Sequence, residues 1–160
     1  MMRRLLSFLL LVLAAHASLA PAAAEETIRP LEPATFERII ATGKGRPLVV
    51  MVWSLDCDNC EPSFDALAQA KRTKGLQVVT IATDRADDRE AAQLIGKKLA
   101  RHGLSSHAWA FGTAPAERLR YDIDPKWRGE KPRSYWVDGN GHVRAYSGLI
   151  SAEIVTRMLN

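Results

Sequence analysis

The sequence has few cysteines and no region of strong charge. Its 160 residues include two cysteines, so the dense disulfide framework of many small secreted domains is excluded. Lys and Arg number 22 and Asp and Glu number 18, which gives a net charge of only +4. Two of the positive charges, Arg3 and Arg4, stand at the N-terminus, and the others are scattered. A nucleic-acid interface needs clustered basic residues, so we infer none.

Several catalytic signatures are also missing. The sequence contains no glycine-rich phosphate loop, no paired-carboxylate pattern and no Ser-His-Asp arrangement. After residue 24, no apolar run reaches the roughly 20 residues that a membrane-spanning helix needs. These absences leave the two cysteines as the main carriers of chemistry.

The first 24 residues have the pattern of a secretory signal. Arg3 and Arg4 precede an apolar run over residues 5–15, and small residues follow up to Ala24. An uncleaved membrane anchor is the alternative, because residues 5–24 carry no formal charge over a length that can span a bilayer. In either case we expect residues 25–160 to form one domain outside the cytoplasm, secreted, periplasmic or membrane-anchored.

Helical and strand patterns alternate along residues 25–160. Short valine-rich runs indicate strands that are buried on both faces, and helices between them indicate parallel crossovers. A final hairpin adds antiparallel strands around an Asp-Gly-Asn-Gly turn. The sequence therefore predicts an α/β fold with a mixed sheet. The predicted strands cover residues 47–53, 76–82, 109–111, 134–137 and 142–146, and the helices cover 34–40, a stretch after the cysteines that ends near 75, 89–102, 115–121 and 151–159.

Cys57 and Cys60 follow a buried strand and stand at the start of a predicted helix. A helix N-terminus offers unpaired N–H groups and the positive end of the helix dipole, which favour a thiolate. We therefore expect Cys57 to be the nucleophile and the more buried Cys60 to be the resolving thiol. A purely structural disulfide would contribute little, because the loop that it closes is very short.

Metal binding is a second interpretation of the cysteine pair. Two cysteines can hold Cu(I) or supply half of the ligands of a closed zinc site. The mature-chain histidines, His102, His107 and His142, have no ligand spacing to the cysteines, so we predict no metal ligands. A third interpretation is a redox-silent binding module in which the disulfide is permanently closed.

Two segments resemble the active-site segments of the thioredoxin-like superfamily. Residues 49–64, VVMVWSLDCDNCEPSF, place Trp53 four residues before the first cysteine, as is typical of that family. Residues 131–143, KPRSYWVDGNGHV, resemble the family's cis-proline segment, with Pro132 in the proline position. Residues 88–123 are similar in layout to the insertion of exported TlpA/ResA-type thiol–disulfide oxidoreductases.

This resemblance implies a thioredoxin fold with a mixed central sheet flanked by helices. It also implies a helix-containing insertion between the CxxC helix and the cis-proline strand. The implied activity is extracytoplasmic reduction of client protein disulfides, with the Cys57–Cys60 disulfide as the redox centre and no bound cofactor. The implied partners are disulfide-containing clients, such as cytochrome c-maturation or copper-assembly proteins, and a membrane thiol electron donor.

Departures from the family pattern bear on the direction of electron flow. Asp56 replaces the tryptophan that usually precedes the first cysteine, and Asp58 follows that cysteine. The helix dipole favours a thiolate by ~0.3–1 kcal/mol. A carboxylate at about 6 Å opposes it by up to ~2.8 kcal/mol at an effective dielectric of about 20. Lys131, before the proline, partly offsets the carboxylates. A less stabilised thiolate makes the disulfide more stable, so we expect a reductant rather than an oxidase.

The predicted active-site wall combines these residues with one from an extra segment. Trp53, Asp56, Lys131 and Pro132 are expected to surround the cysteines. Residues 124–130, DPKWRGE, form a stretch that is longer than usual for the family, and we expect it near the cysteines. Its Trp127 either contacts a client protein or packs back onto the domain.

Overall fold

The computed structural model describes residues 28–160. The predicted signal or anchor, residues 1–24, lies outside this range. The helices are α1 (Thr35–Ala41), α2 (Cys60–Lys74), α3 (Arg89–His102), α4 (Ala116–Ile123) and α5 (Ala152–Leu159), and the strands are β1 (Arg29–Leu31), β2 (Leu48–Trp53), β3 (Gln77–Arg85), β4 (Ala108–Phe111), β5 (Arg133–Val137) and β6 (Val143–Ser147). Within the described range, no helix combines the length and apolar character needed to cross a bilayer.

The six strands form one mixed sheet in the order β1-β4-β3-β2-β5-β6. The first four strands of this order run parallel to one another. Strand β5 is antiparallel to β2, and β6 is antiparallel to β5. The predicted α/β class and mixed sheet are therefore confirmed, and β2 occupies a central position with the cysteines just beyond its carboxyl end.

Residues of β2 alternate between two cores, one on each face of the sheet. Val49, Met51 and Trp53 lie in the first core, which is covered by α2, α3 and α5. The intervening residues, Leu48, Val50 and Val52, lie in the second core under α1 and α4. All six side chains are buried, as the unbroken apolar run predicts. Each core therefore packs against its own set of helices.

The element bounds differ from the predictions in three places. Strand β1 was not predicted, since Arg29 and Pro30 are exposed and give residues 29–31 no buried pattern. Strand β3 continues to Arg85, three residues beyond its predicted end at residue 82. A short 3-10 turn over Ser105–His107 was also not predicted. The other helices and strands lie within one or two residues of the predicted ranges, which is the usual uncertainty of element ends.

Candidate active site

Cys57 and Cys60 form a disulfide at the start of α2. Cys60 is the first helical residue and is only 1% exposed, whereas Cys57 is half-buried and faces the surface. The N–H of Cys57 donates to the Ser54 carbonyl at 3.2 Å, and the N–H of Cys60 donates to the Cys57 carbonyl at 3.2 Å. Two consecutive turns therefore leave Cys57 partly accessible and keep Cys60 inside.

Trp53 lies in the first core beneath the disulfide-bearing turn. Its side chain is 0% exposed and meets the ring of Phe64 edge-on, with centroids 4.9 Å apart. The indole Nε1 has no hydrogen-bond partner among residues 28–160. Trp53 thus supports the cysteine turn from below, and the buried ring offers no surface to a client.

The Lys131–Pro132 peptide bond is cis. Pro132 is buried, and its carbonyl accepts the N–H of Gly148 at 2.9 Å. Within the described part of the chain, neither the backbone N–H nor the carbonyl of Lys131 has a hydrogen-bond partner. The groups that can pair with an extended polypeptide are therefore those of Lys131 and not the carbonyl of Pro132.

An ion pair joins the proline segment to the cysteine loop. Lys131 Nζ lies 3.5 Å from Asp56 Oδ1, and the Asp56 side chain is 84% exposed. The Ser54 hydroxyl donates to the same oxygen, and this hydrogen bond, together with the Lys131 charge, holds the pKa of Asp56 below its usual value. The Lys131 ammonium is thus directed at the Asp56 carboxylate, immediately before Cys57.

The cysteine turn is also tied to distant parts of the chain. The N–H of Leu55 donates to Asp84 Oδ2 at 2.9 Å, near the end of β3. Ser63 Oγ donates to the Asn59 carbonyl and accepts the N–H of Ile150, both at 3.0 Å. Because these bonds hold the turn on both sides, its position depends on β3 and on the segment before α5 as well as on α2.

Known structures share this arrangement of the sheet and helices. No protein-family model matches the sequence, and no curated protein matches it. A DsbF homologue from Corynebacterium diphtheriae superposes with a TM-score of 0.57 at 16% identity, over 74% of this chain and 73% of the other. A secreted Mycobacterium tuberculosis disulfide oxidoreductase, described as homologous to E. coli DsbE, gives 0.53 at 16% identity, over 74% and 83%. A thioredoxin-like protein in its oxidised form gives 0.55 at 19% identity, over 81% and 90%. The chain has the thioredoxin fold.

The resemblance based on residues 49–64 and 131–143 is thus confirmed at the level of the fold. Within this thioredoxin fold, the disulfide stands at the start of α2, where the sequence places it. The predicted helix-containing insertion corresponds to α3, β4 and α4 between the CxxC helix and β5. The cysteines, Asp56, Lys131 and Pro132 are therefore close together at one edge of the sheet.

Trp127 is not part of this active-site wall. Its side chain is 6% exposed and packs in the second core, on the face of the sheet opposite the core that contains Cys60. Its Nε1 donates to the Glu130 carbonyl at 2.8 Å. Of the two alternatives given for Trp127, the structure therefore supports packing back onto the domain, because a buried indole gains more from the apolar core than from solvent.

Arg133 fastens the segment of residues 124–130 to the sheet, and it was not singled out from the sequence. Its guanidinium donates to Asp124 Oδ2 at 2.6 Å, to Ser147 Oγ at 2.7 Å and to Glu130 Oε1 at 3.4 Å. Burial opposes ionisation of Asp124. However, the Lys126 N–H and the Arg133 guanidinium outweigh burial and lower the pKa of Asp124. The sequence feature that could have indicated this role is the position of Arg133 directly after Pro132, with Asp124 and Glu130 upstream of it.

Two of the histidines considered as metal ligands lie beside carboxylates. His102 Nδ1 is 2.8 Å from Asp65 Oδ1, and His142 Nδ1 is 3.0 Å from Asp138 Oδ2. Among residues 28–160, no group of three or more His, Cys, Asp or Glu side chains is placed to hold a metal ion.

Proposed function

We propose that the protein is an exported thiol–disulfide oxidoreductase that reduces disulfides of client proteins through Cys57 and Cys60. The observation that supports this function is the unequal exposure of the two sulfur-bearing residues at the start of α2, beside the Lys131–Pro132 segment. Exchange needs one accessible sulfur that meets the client and one protected sulfur that completes the reaction. No bound cofactor is required.

The reaction transfers two electrons from the reduced pair to the client. The Cys57 thiolate attacks one sulfur of the client disulfide and forms a mixed disulfide, and the released client thiolate takes a proton from solvent. The Cys60 thiolate then attacks the Cys57 sulfur and releases the second client thiolate, which is protonated in turn. The enzyme disulfide forms as the client becomes a dithiol. Burial of Cys60 favours attack on Cys57 over attack on other disulfides.

The carboxylates around Cys57 favour the reducing direction. Asp56 and Asp58 are exposed and stand on either side of Cys57 in the sequence, so they oppose the negative charge of its thiolate. Lys131 is paired with Asp56 and weakens that opposition. A reduced form that is poorly stabilised gives a low reduction potential.

The location and the partners rest on sequence features and on resemblance. The signal-like residues 1–24 support export, and one similar structure is described as a secreted disulfide oxidoreductase. A reductant outside the cytoplasm needs a supply of electrons, for which we propose a membrane thiol donor. By resemblance to the TlpA/ResA type, the clients are cytochrome c-maturation or copper-assembly proteins.

The reduction potential tests this proposal directly. Equilibration of Cys57–Cys60 with glutathione and dithiothreitol should give a value near or below about −250 mV. A value near about −120 mV would mean an oxidase. The Cys57→Ser variant should show no exchange, whereas Cys60→Ser should accumulate a mixed disulfide with the client. Absence of exchange, or tightly bound metal in the same sample, would favour a binding or metal-handling role.

A further inference from the structure

A stripe of apolar and basic side chains runs along α3 beside its buried face. Ile95 and Leu99 are buried in the first core, as their spacing on the helix requires. Leu94, Lys98 and Arg101, at positions i, i+4 and i+7, form the adjacent stripe. Leu94 is 46% exposed and therefore presents apolar surface to solvent beside the packed face of the helix.

This stripe faces the beginning of α2. Lys98 Nζ and Arg101 Nη2 lie 3.9 Å and 3.8 Å from the carboxylate of Glu61, which is the residue after Cys60. Between α3 and the loop that leads to Cys57 lies an open groove of about 710 Å³. Its lining residues are Leu55, Leu94, Lys97, Lys98, Ala100 and Arg101.

The position of Leu55 connects the groove to the exchange chemistry. Leu55 stands two residues before Cys57, and its backbone is fixed by the hydrogen bond to Asp84. An extended chain rises about 3.3 Å per residue, so the groove lies within a few residues of any client cystine held at the Cys57 sulfur. The groove is therefore next to the path of the client chain.

The charge of the groove selects among possible occupants. Lys97, Lys98 and Arg101 bring three positive charges to its edge. Two carboxylates oppose them: Glu61 lies 3.8–3.9 Å from Lys98 and Arg101, and Asp84 accepts the N–H of Leu55. An excess of positive charge remains around a floor of leucine and alanine. The complementary ligand has a large apolar side chain with a carboxylate beside it.

We propose that this groove binds the client segment that flanks the attacked cystine, and that it selects a segment with a large apolar residue next to an Asp or Glu. This inference rests on the proposed exchange activity and adds a client preference to it. A second copy of the chain fits less well, because two leucines and an alanine offer far less than the roughly 800 Å² per partner of a stable dimer. The client chain is also the occupant that the adjacent disulfide would bring to the groove.

A pair of matched peptides tests this preference. Both peptides carry the same intramolecular disulfide. One has Leu-Glu and the other has Ser-Lys in the flank, one to four residues from the cystine and in separate series on each side. The second-order rate of oxidation of the reduced protein is measured with each peptide and with the small uncharged 2-hydroxyethyl disulfide. The readout is the ratio of the two peptide rates. A change in the reactivity of Cys57 itself affects both rates equally and cancels in this ratio.

In at least one flank position, the reduced protein should oxidise with the Leu-Glu peptide about tenfold faster than with the Ser-Lys peptide at low salt. The Leu94→Ser variant should lower this ratio about fivefold, because it removes half-exposed apolar surface. Arg101→Glu should lower it about fivefold and remove most of its dependence on salt. The controls Tyr121→Ser, on α4, and Lys74→Glu, at the far end of α2, should keep the ratio of the unmodified protein.

Three results would overturn the inference, and they differ in meaning. Equal rates for both peptides at all positions, with exchange intact, would remove the client preference and leave the oxidoreductase. No exchange with the peptides or with 2-hydroxyethyl disulfide would remove the proposed function as well. A dimer in sedimentation that Leu94→Ser converts to monomer would show that a second copy occupies the groove.

Discussion

At the scale of single residues, two opposite charges stand next to the reactive sulfur. Asp56 immediately precedes Cys57. Lys131, from the proline segment, forms an ion pair with Asp56. The negative charge opposes formation of the Cys57 thiolate, and the positive charge favours it. Because the two side chains contact each other, the thiolate experiences their combined field. The redox poise of the site therefore depends on this pair as a unit.

Removing the negative charge and removing the positive charge should shift the reduction potential in opposite directions. Asp56→Asn removes a carboxylate, stabilises the thiolate and should raise the potential by about 10–20 mV, a two- to fivefold change in the equilibrium constant with glutathione. Lys131→Met should lower the potential by a similar amount. Redox equilibration of both variants with glutathione measures these shifts.

A carboxylate far from the cysteines provides the control for this pair. Glu37→Gln, on α1, should leave the potential unchanged. Shifts of the same sign for Asp56→Asn and Lys131→Met would mean that the field of this pair does not set the potential.

At the scale of elements, residues 124–130 are joined to the start of β5 by side-chain hydrogen bonds. Asp124 and Glu130 both accept hydrogen bonds from Arg133, the first residue of that strand and the neighbour of Pro132. The Tyr135 hydroxyl donates to Asp124 as well, at 3.4 Å. Burial is the main cause that raises the pKa of Tyr135, so this hydroxyl stays protonated and remains a donor. The network holds Lys131 at the end of a rigid support.

Asp124→Asn should weaken this support measurably. The loss of a charge-assisted bond at a mostly buried position should lower the free energy of unfolding at pH 7 by about 2 kcal/mol. The pKa of Asp124 is lower in the folded protein. Its contribution is therefore complete above the unfolded value, about 3.9, and is lost as the pH falls through the folded value. The variant should consequently lose less stability on acidification below about pH 4.

Urea unfolding across this pH range measures both effects. Glu117→Gln provides the control, since Glu117 is highly exposed and its pair with Arg120 should contribute under about 0.5 kcal/mol. Equal losses in the two variants would show that the Asp124–Arg133 pair is no stronger than a surface ion pair.

The sequence predicts elements well where they are buried or capped. The pattern of residues 89–102 and the glycine that follows give the bounds of α3, and Ser151 caps α5 at the start of its predicted range. Strand β1 has only three residues, pairs with β4 alone and keeps two residues exposed, so no periodic signal exists for it. Local patterns are therefore sufficient for elements that bury a face.

The same distinction between local patterns and distant contacts applies to the residues of the candidate site. The disulfide and the cis bond lie where short motifs place them. The roles of Trp127 and Arg133 depend on contacts with segments that are distant in the chain or on the opposite face of the sheet, which no local spacing reveals. Long-range packing therefore determines the roles of residues, such as Trp127 and Arg133, that the short motifs do not define.

At the scale of the whole molecule, one glycine allows β1 to complete the sheet. Gly112 follows β4, and its N–H donates to the Leu31 carbonyl at 2.8 Å. A Cβ at this position would lie 2.7 Å from that same carbonyl oxygen and would also collide with the Glu32 carboxylate. Strand β1 covers the edge of β4, which would otherwise expose unpaired backbone groups.

Two glycine-to-alanine substitutions should therefore have opposite effects on stability. Gly112→Ala forces β1 away from β4 and should lower the free energy of unfolding by about 1–3 kcal/mol. Gly96→Ala, within α3 and with no atom within 4 Å of the added methyl group, should raise it by about 0.5–1 kcal/mol. Denaturant midpoints measure both effects, and faster amide exchange over residues 109–111 would locate the first. A neutral Gly112→Ala would show that β1 adapts without loss.

The bond between Ser63 and Ile150 joins the turn of the disulfide to a residue 87 positions later in the chain. Under the proposed export, the N-terminal end of the chain would emerge first, so both thiols would reach the far side of the membrane before Pro132 and Ile150. During that interval the cysteines have neither their proline neighbour nor the anchor of their turn. Under the proposed export, the nascent chain would carry two thiols before their structural supports are present, and its redox centre would be completed only after residue 150 has crossed the membrane.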